Sequence, residues 1–296
     1  MGTARRVRVR RAGLFPWLLV GPYLLMFAVF IAYPILRAVY ISFFDWGIFG
    51  PDAFVGLENY VALAGDERFW RAVRITGAFA LIYVPMIVGV SMVLAVLLHG
   101  RLPGIAVFRT AFLVPIVINV SVAAIAFRWL IEPQIGLLNR LLALVGLPGQ
   151  AWLSEPGWAL FAIALVTLWI NAGFMIVIYL AALENIPDEL YEAARLDGIG
   201  PVGEFFRITA PLLRPITLLV TVLSLITAFQ VFGEVLMMTG GGPFGSTTVL
   251  TLLLYEEGFQ KFALGRAAAI GVVITALIAA LSFVQFRLFR ERGGAA

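Results

Sequence analysis

Apolar positions along this chain of 296 residues fall into six long blocks separated by polar segments rich in glycine and proline. The blocks run from Leu14 to Leu36, Arg74 to Leu98, Val107 to Leu130, Trp158 to Leu183, Ile216 to Met238 and Ala263 to Phe286. As helices rising about 1.5 Å per residue, each is long enough to cross a hydrocarbon layer about 30 Å thick. A cleaved leader is the competing reading of the first block. It calls for an apolar stretch of about 7 to 15 residues ending at small side chains, and Tyr33-Pro34-Ile35-Leu36-Arg37 offers no such end, so the block is read as a retained span. Pro85 and Pro115 lie inside the second and third blocks and are expected to kink those helices without breaking them, because neighbouring groups can take up the freed carbonyl. The expected fold is all-α, a single transmembrane domain (1–296) of six membrane-spanning helices.

The connecting segments differ in kind. Residues 45–70 carry Gly47, Gly50, Pro51 and Gly56 among aromatics and read as an external loop with little regular structure. His99 to Gly104 reads as a tight turn. In the second external segment, Glu132 to Pro156, a short interfacial helix is expected over Leu137 to Leu144, between Gly136 and Gly146. The segment 184–215 is the one long polar stretch flanked on both sides by spans. Pro187, Asp188 and Glu189 place a fixed φ and negative charge at a helix start, where free N–H groups and the macrodipole favour them. Leu190, Ala193 and Ala194 share a face of the helix that follows, and Gly198 supplies a left-handed stop after Asp197. A second short helix is expected from Gly200-Pro201, carrying Phe205, Phe206 and Ile208 until Pro211 and Pro215 end it. Helices this short are marginal alone. They either dock in a groove of a soluble partner or lie as an amphipathic loop on the bilayer.

Glu192-Ala193-Ala194-x-x-Asp197-Gly198, followed by Phe206-x-Ile208-x-x-Pro211, resembles the EAA loop of the membrane-spanning subunits of bacterial ABC importers. Ala182-Leu183-x-x-Ile186-Pro187-x-Glu189-Leu190 and Thr239-Gly240-Gly241-Gly242-Pro243 resemble the carbohydrate-uptake branch of that family, the MalF- and UgpA-like permeases. The similarity runs from about Pro16 to the C-terminus, with one departure at Ala210, where the family usually has leucine before the proline. The resemblance implies a type I ABC importer permease fold, with Glu192, Ala193, Ala194, Asp197, Gly198, Phe206, Ile208 and Pro211 forming the coupling surface for the ATPase. It divides the chain into an N-terminal part (1–70: basic segment, first span, external loop) and a core permease part (71–287) containing the loop. It also implies the partners: a second homologous permease chain, two ATP-binding subunits and an extracytoplasmic solute-binding protein. No cofactor is expected in this chain, since ATP and magnesium would be held by the partner ATPase.

Composition agrees with the pattern. Hydrophobic residues make up 62% and charged residues 13% of the chain, with a mean hydropathy of +1.00, whereas soluble domains run near 25% charged. Its environment is membrane lipid. Cysteine is absent and His99 is the sole histidine, which excludes disulfides, thiolate chemistry and a His/Cys zinc site. The net charge of +4 comes almost wholly from arginine, and in a membrane protein such charge orients helices rather than binding nucleic acid. Arg5, Arg6, Arg8, Arg10 and Arg11 precede the first span, and Arg101, Arg109, Arg195, Arg207, Arg214, Arg287, Arg290 and Arg292 fall on the same side of a six-span topology. Positive charge marks the inside. Both termini and the EAA-like loop are therefore expected in the cytoplasm of a bacterial plasma membrane protein.

Polar residues within the blocks carry the remaining information. Asn171 in the fourth, and Gln230 and Glu234 one helical turn apart in the fifth, would be costly facing lipid and are expected to face the bundle interior or a wet cavity. Phe174 and Phe229 lie beside them, and rings with amides and a carboxylate suit a sugar, whose C–H faces stack and whose hydroxyls bond. These five form the expected substrate path; plain interhelical hydrogen bonds are the alternative for Asn171 and Gln230. Arg128 with Glu132 reads as an interface pair, and Trp17, Trp70, Trp129 and Trp158 as belt anchors. The glycine run 240–245 lacks the Gly-Lys-Ser/Thr ending of a phosphate loop and reads as a flexible external turn or a contact loop for a binding protein. The rival class is an ion-gradient-driven secondary transporter, which needs coupling carboxylates or an internal repeat; Glu234 is the one clear intramembrane carboxylate, and no repeat joins the halves. Within the family, a glycerol-3-phosphate permease is the alternative to a neutral sugar carrier, and no arginine lies squarely within the fourth to sixth blocks to favour it.

Overall fold

The computed structural model describes residues 15–100 and 104–293; Arg5, Arg6, Arg8, Arg10, Arg11 and Arg101 lie outside them, as does the side chain of Trp17. Among the described residues, four uninterrupted helices are long and apolar enough to cross a membrane: Leu19–Ile41, Glu67–His99, Pro156–Leu183 and Leu264–Arg287. Two bent pairs pass the same test of length and composition together, Ile105–Val117 with Val120–Leu130 at 105°, and Pro201–Leu212 with Arg214–Phe229 at 72°, which gives up to six when each pair is counted as one span.

Pro85 sits inside the unbroken helix Glu67–His99, as expected of a kink. Pro115 does not follow that expectation. It lies in a 3-10 turn, Val114–Val117, after which Ile118 turns extended with ψ 133°. Asn119 then caps the next helix, its side chain accepting a hydrogen bond from the Ser121 amide at 2.9 Å. The tight turn and a fresh cap together replace the missing donor with a true break. The fifth span is interrupted as well. Helix Arg214–Phe229 ends at Gln230, and a separate short helix starts at Gly233, so Gln230 and Glu234 are not one turn apart on a common helix. The Val231 carbonyl freed by the gap accepts from the Thr251 hydroxyl, which meets the demand that backbone polar groups inside a membrane protein be satisfied.

The core is built on the second and fourth spans, whose buried Phe79, Tyr83 and Ile87 face Ile163, Val166, Ile170, Ile176 and Tyr179. The third span's first half comes close to the fourth at Gly173, where a Cβ would fall on the Phe112 carbonyl. Arg109 closes the same end of the bundle by donating through Nε and Nη2 to the Leu98 carbonyl at 3.2 and 2.9 Å, a cation on a helix C-terminus. The first span has none of its apolar window buried and packs through Tyr33–Ile41 on the last span.

Residues 45–70 are more ordered than expected. An antiparallel hairpin pairs Phe44–Gly47 with Gly50–Phe54, helix Glu58–Ala64 follows, and the long second span already begins at Glu67, capped by Asp66. Their order is tertiary: Asn59 Nδ2 donates to the carbonyls of Ser42 and Phe44, both at 2.9 Å, and Arg266 of the last span pairs with Asp66. The interfacial helix forms where the sequence put it, at Leu137–Leu144, with Gly146 at φ +75°. Arg128 and Glu132 do not pair: Arg128 donates to the Met237 carbonyl at 3.3 Å, while the Glu132 carboxylate accepts from the amides of Gln134 and Ile135. Trp129 is largely exposed and Trp70 and Trp158 partly so, consistent with belt positions.

Asn139 anchors the segment between the third and fourth spans. It donates to the Pro133 and Gln150 carbonyls at 3.0 and 2.9 Å, and accepts from the Gln150 amide at 3.1 Å and Trp152 Nε1 at 2.8 Å. Asn139→Ala leaves those groups unpaired, so a local loss of about 2 kcal/mol is expected. Hydrogen exchange should show it as a roughly 30-fold faster exchange of the Gln150 amide, with span interiors unchanged.

Candidate functional site

The loop between the fourth and fifth spans folds as two short helices joined by a rigid bend. The first, Asp188–Leu196, starts from extended Pro187 with Asp188 and Glu189 in its opening turn. It ends at Gly198, φ +77°: the Ile199 amide donates to the Ala194 carbonyl at 2.9 Å and the Gly198 amide to that of Arg195 at 3.0 Å. These two bonds are the pair that defines a Schellman stop. The second helix begins at Gly200-Pro201 and widens into a π-turn at Phe205–Thr209. It continues through Pro211, which sits in the first turn of the segment Ala210–Leu212 and does not end the helix. Thr209 and Arg195 fix the pair together, through Tyr191 Oη to Thr209 Oγ1 at 3.0 Å and Arg195 to Glu204 at 3.0 Å. With the arginine largely exposed, that ion pair contributes only about 0.2–1 kcal/mol.

Ala194 is buried, whereas Glu192, Ala193, Asp197 and Gly198 are exposed. Ile208 and Pro211 are half-buried. Phe206 is 67% exposed, and with Leu196 at 89% and Val202 at 72% it gives the loop an uncovered apolar surface. Leu196 and Val202 were not singled out in the sequence. Their signal was an apolar side chain in an otherwise polar segment. Beneath the loop, a crevice of about 360 Å³ lies between the end of the fourth span and the start of the fifth, lined by Ile186, Pro187, Leu190, Leu213 and Ile216 among others. A movement of the loop therefore bears directly on both spans.

In the span region, Asn171 is half-buried and donates to the Thr167 carbonyl at 2.8 Å. The Thr167 hydroxyl donates to the Ile163 carbonyl at 2.9 Å, and Glu234 is buried, 6% exposed. Gln230 is exposed at the break of the fifth span, Phe174 is exposed on the fourth, and Phe229 packs into the core. No hydrogen bond joins Asn171 to Gln230 among the described residues. The glycine-rich turn is less free than expected: Thr239 and Thr247 hydroxyls meet at 2.8 Å and Thr247 donates to the Gly242 carbonyl at 2.7 Å, leaving Phe244 at the tip, 93% exposed.

Residues 14–292 match the profile of a family described as "Binding-protein-dependent transport system inner membrane component". The chain belongs to this family. It is a membrane-spanning transport permease subunit, and its fold is the type I ABC importer permease fold. It is 37% identical over 287 residues to a probable ABC transporter permease, YurN, of Bacillus subtilis, covering 95% of this chain and 98% of that one. It is 36% identical over 277 residues to the sulfoquinovosyl glycerol permease SmoG of Agrobacterium fabrum, covering 93% and 90%. Among solved structures, a permease chain of a bacterial alginate ABC transporter, in complex with its alginate pentasaccharide-bound periplasmic protein, superposes with a TM-score of 0.80. That match covers 94% of each chain at 22% identity and bears on the fold alone.

Proposed function

We propose that this permease forms half of the translocation path of an ATP-driven importer for a carbohydrate or related polyol delivered by an extracytoplasmic binding protein. The observation that carries the coupling role is the uncovered apolar surface of Leu196, Val202 and Phe206 on a helix pair made rigid by the Gly198 stop. Its occupant is the groove of an ATP-binding subunit, read as helix-in-groove recognition, with the loop and both termini in the cytoplasm. Two such subunits hold ATP and magnesium, and a second, homologous permease chain completes the path. Closure of the ATPase pair moves the helices from Pro187 to Thr209, and the fourth and fifth spans transmit that movement to a cavity that opens to alternate sides.

The solute class rests on the relatives together with the polar side chains of Asn171 and Glu234 within the spans, whose groups accept and donate hydrogen bonds as hydroxyls require. Gln230 and Phe174, both exposed from this chain, extend that path. Co-purification of a P-loop ATPase and ATP-dependent uptake from a sugar panel in proteoliposomes test the reading; uptake by this chain alone, driven by an ion gradient, would refute it.

The path residues have their own test. Asn171→Ala and Gln230→Ala are each expected to weaken apparent solute affinity by about 1–3 kcal/mol by leaving a solute hydroxyl unpaired. Uptake kinetics and the detergent melting temperature of the complex are measured together. Unchanged kinetics with a lowered melting temperature would make these residues interhelical bonds and remove them from the path.

A further inference from the structure

The hairpin after the first span turns back toward the membrane. The first span ends at Ile41, and the strand that follows contacts it in reverse order. Phe44 packs on Tyr40 with ring centroids 4.6 Å apart. Two residues further on, Trp46 receives the Arg37 guanidinium over its ring at 4.7 Å, and Arg37 lies about 6 Å down the helix axis from Ile41. The strand therefore runs antiparallel to the span, from its end toward the bilayer. The close approach of Gly265, at the start of the last span, to the Phe44 carbonyl holds the upper end of the strand at that level.

Register and exposure place the tip. Gly47 pairs with Gly50, so Ile48 and Phe49 form a two-residue turn, about 7 Å beyond Trp46 at the usual strand rise. Phe49 is 102% exposed and Ile48 59%. Arg37 closes the apolar part of the first span in the sequence, so Trp46 stacked on it lies at the boundary between headgroups and acyl chains, where tryptophan and tyrosine concentrate. Asp52, whose carboxylate lies near Gly47, stays at that charged level. Apolar side chains alone extend past it. The turn's backbone remains among the headgroups, because unpaired amides are not tolerated in hydrocarbon.

We infer that the Ile48–Phe49 tip is a lipid-inserted wedge, its side chains entering the leaflet at the C-terminal end of the first span and fixing the height and tilt of a helix that has few other contacts. The partner is the bilayer itself, and the geometry holds whichever side of the membrane this end occupies.

The chain contains no cysteine, so an introduced cysteine is the single one it carries, and the other subunits are used in cysteine-free form. Phe49→Cys and Phe54→Cys, the second paired with Phe44 at the upper end of the hairpin, are nitroxide-labelled in the complete transporter in phosphatidylcholine nanodiscs. Collision with lipid-soluble oxygen is compared with collision with a water-soluble nickel chelate. The expected result is a severalfold higher oxygen-to-nickel ratio at position 49 than at 54. Equal, water-like ratios at both positions would overturn the inference. So would a position-49 label shielded from both reagents, which would mean burial against another subunit, or one that becomes shielded only when the solute-binding protein is added, which would make the tip a protein-docking contact. Melting temperatures of the labelled variants equal to the unlabelled protein establish that the fold is intact.

Discussion

Gly173→Val is expected to prevent recovery of a stably folded permease. Gly173 lies in the middle of the fourth span, and a Cβ there would fall on the Phe112 carbonyl oxygen and within 2.9 Å of the Phe112 carbonyl carbon and 3.2 Å of the Leu113 Cα. All three are backbone atoms. No rotamer change relieves such contacts, so the two helices must separate, and the third span's first half cannot yield freely because the Arg109 bonds to Leu98 tie it to the end of the second span. Separation opens the core around Ala172 and Ile176, both buried. A cost of about 3 kcal/mol or more follows from overpacking of this kind. Detergent melting temperature and the monodisperse yield after purification are the readouts. Phe174→Ala, one position along but with an exposed ring, should melt close to the unmodified protein. A Gly173→Val protein that melts with it would show that the close approach is not needed.

Gly198→Val should abolish most ATP-driven uptake while leaving insertion and melting behaviour nearly unchanged. Here the site is open, with nothing within 4 Å of an added Cβ, so the effect comes from the backbone alone. At φ +77° a β-branched residue costs about 1–2 kcal/mol, and the cheapest relief is to give up the left-handed stop. The two Schellman bonds then open, and the apolar side chains on the two short helices lose their fixed relation. A loss of about 1.4 kcal/mol in the competent population is a tenfold loss of coupling. Gly198→Asn, which tolerates the left-handed region far better, should keep most of the activity. Uptake and solute-stimulated ATP hydrolysis in the reconstituted complex separate the cases. Equal uptake by the Val and Asn variants would exclude a conformational role for this glycine.

These two glycines differ in how far the sequence reveals them. Gly198 was legible, because a Schellman stop is written within six residues: a polar amphipathic turn, an aspartate, a glycine, then a helix restarting at proline. The same local logic made the Leu137–Leu144 helix and its flanking glycines predictable. Gly173 was not legible, since the backbone it must admit belongs to a segment 60 residues earlier. The Phe229 ring likewise packs into the core, a choice of helix rotation that an apolar stretch surrounded by apolar stretches does not encode.

The sequence by itself determined the six apolar blocks, the polar loop between the fourth and fifth, and the family signature on that loop. Length and composition suffice for these, because lipid rewards apolar surface on every face and local hydrogen bonding makes the helices. Only the tertiary structure decided where those helices break and what the outer segments do. In an environment with no water, a break is stable when a distant group takes the freed backbone atom, as Thr251 does for Val231. The hairpin order at residues 44–54 likewise depends on Asn59, Arg37 and the approach of Gly265. Periodicity cannot announce such partners. They are fixed by which surfaces pack together, and that is settled after each local element has already formed.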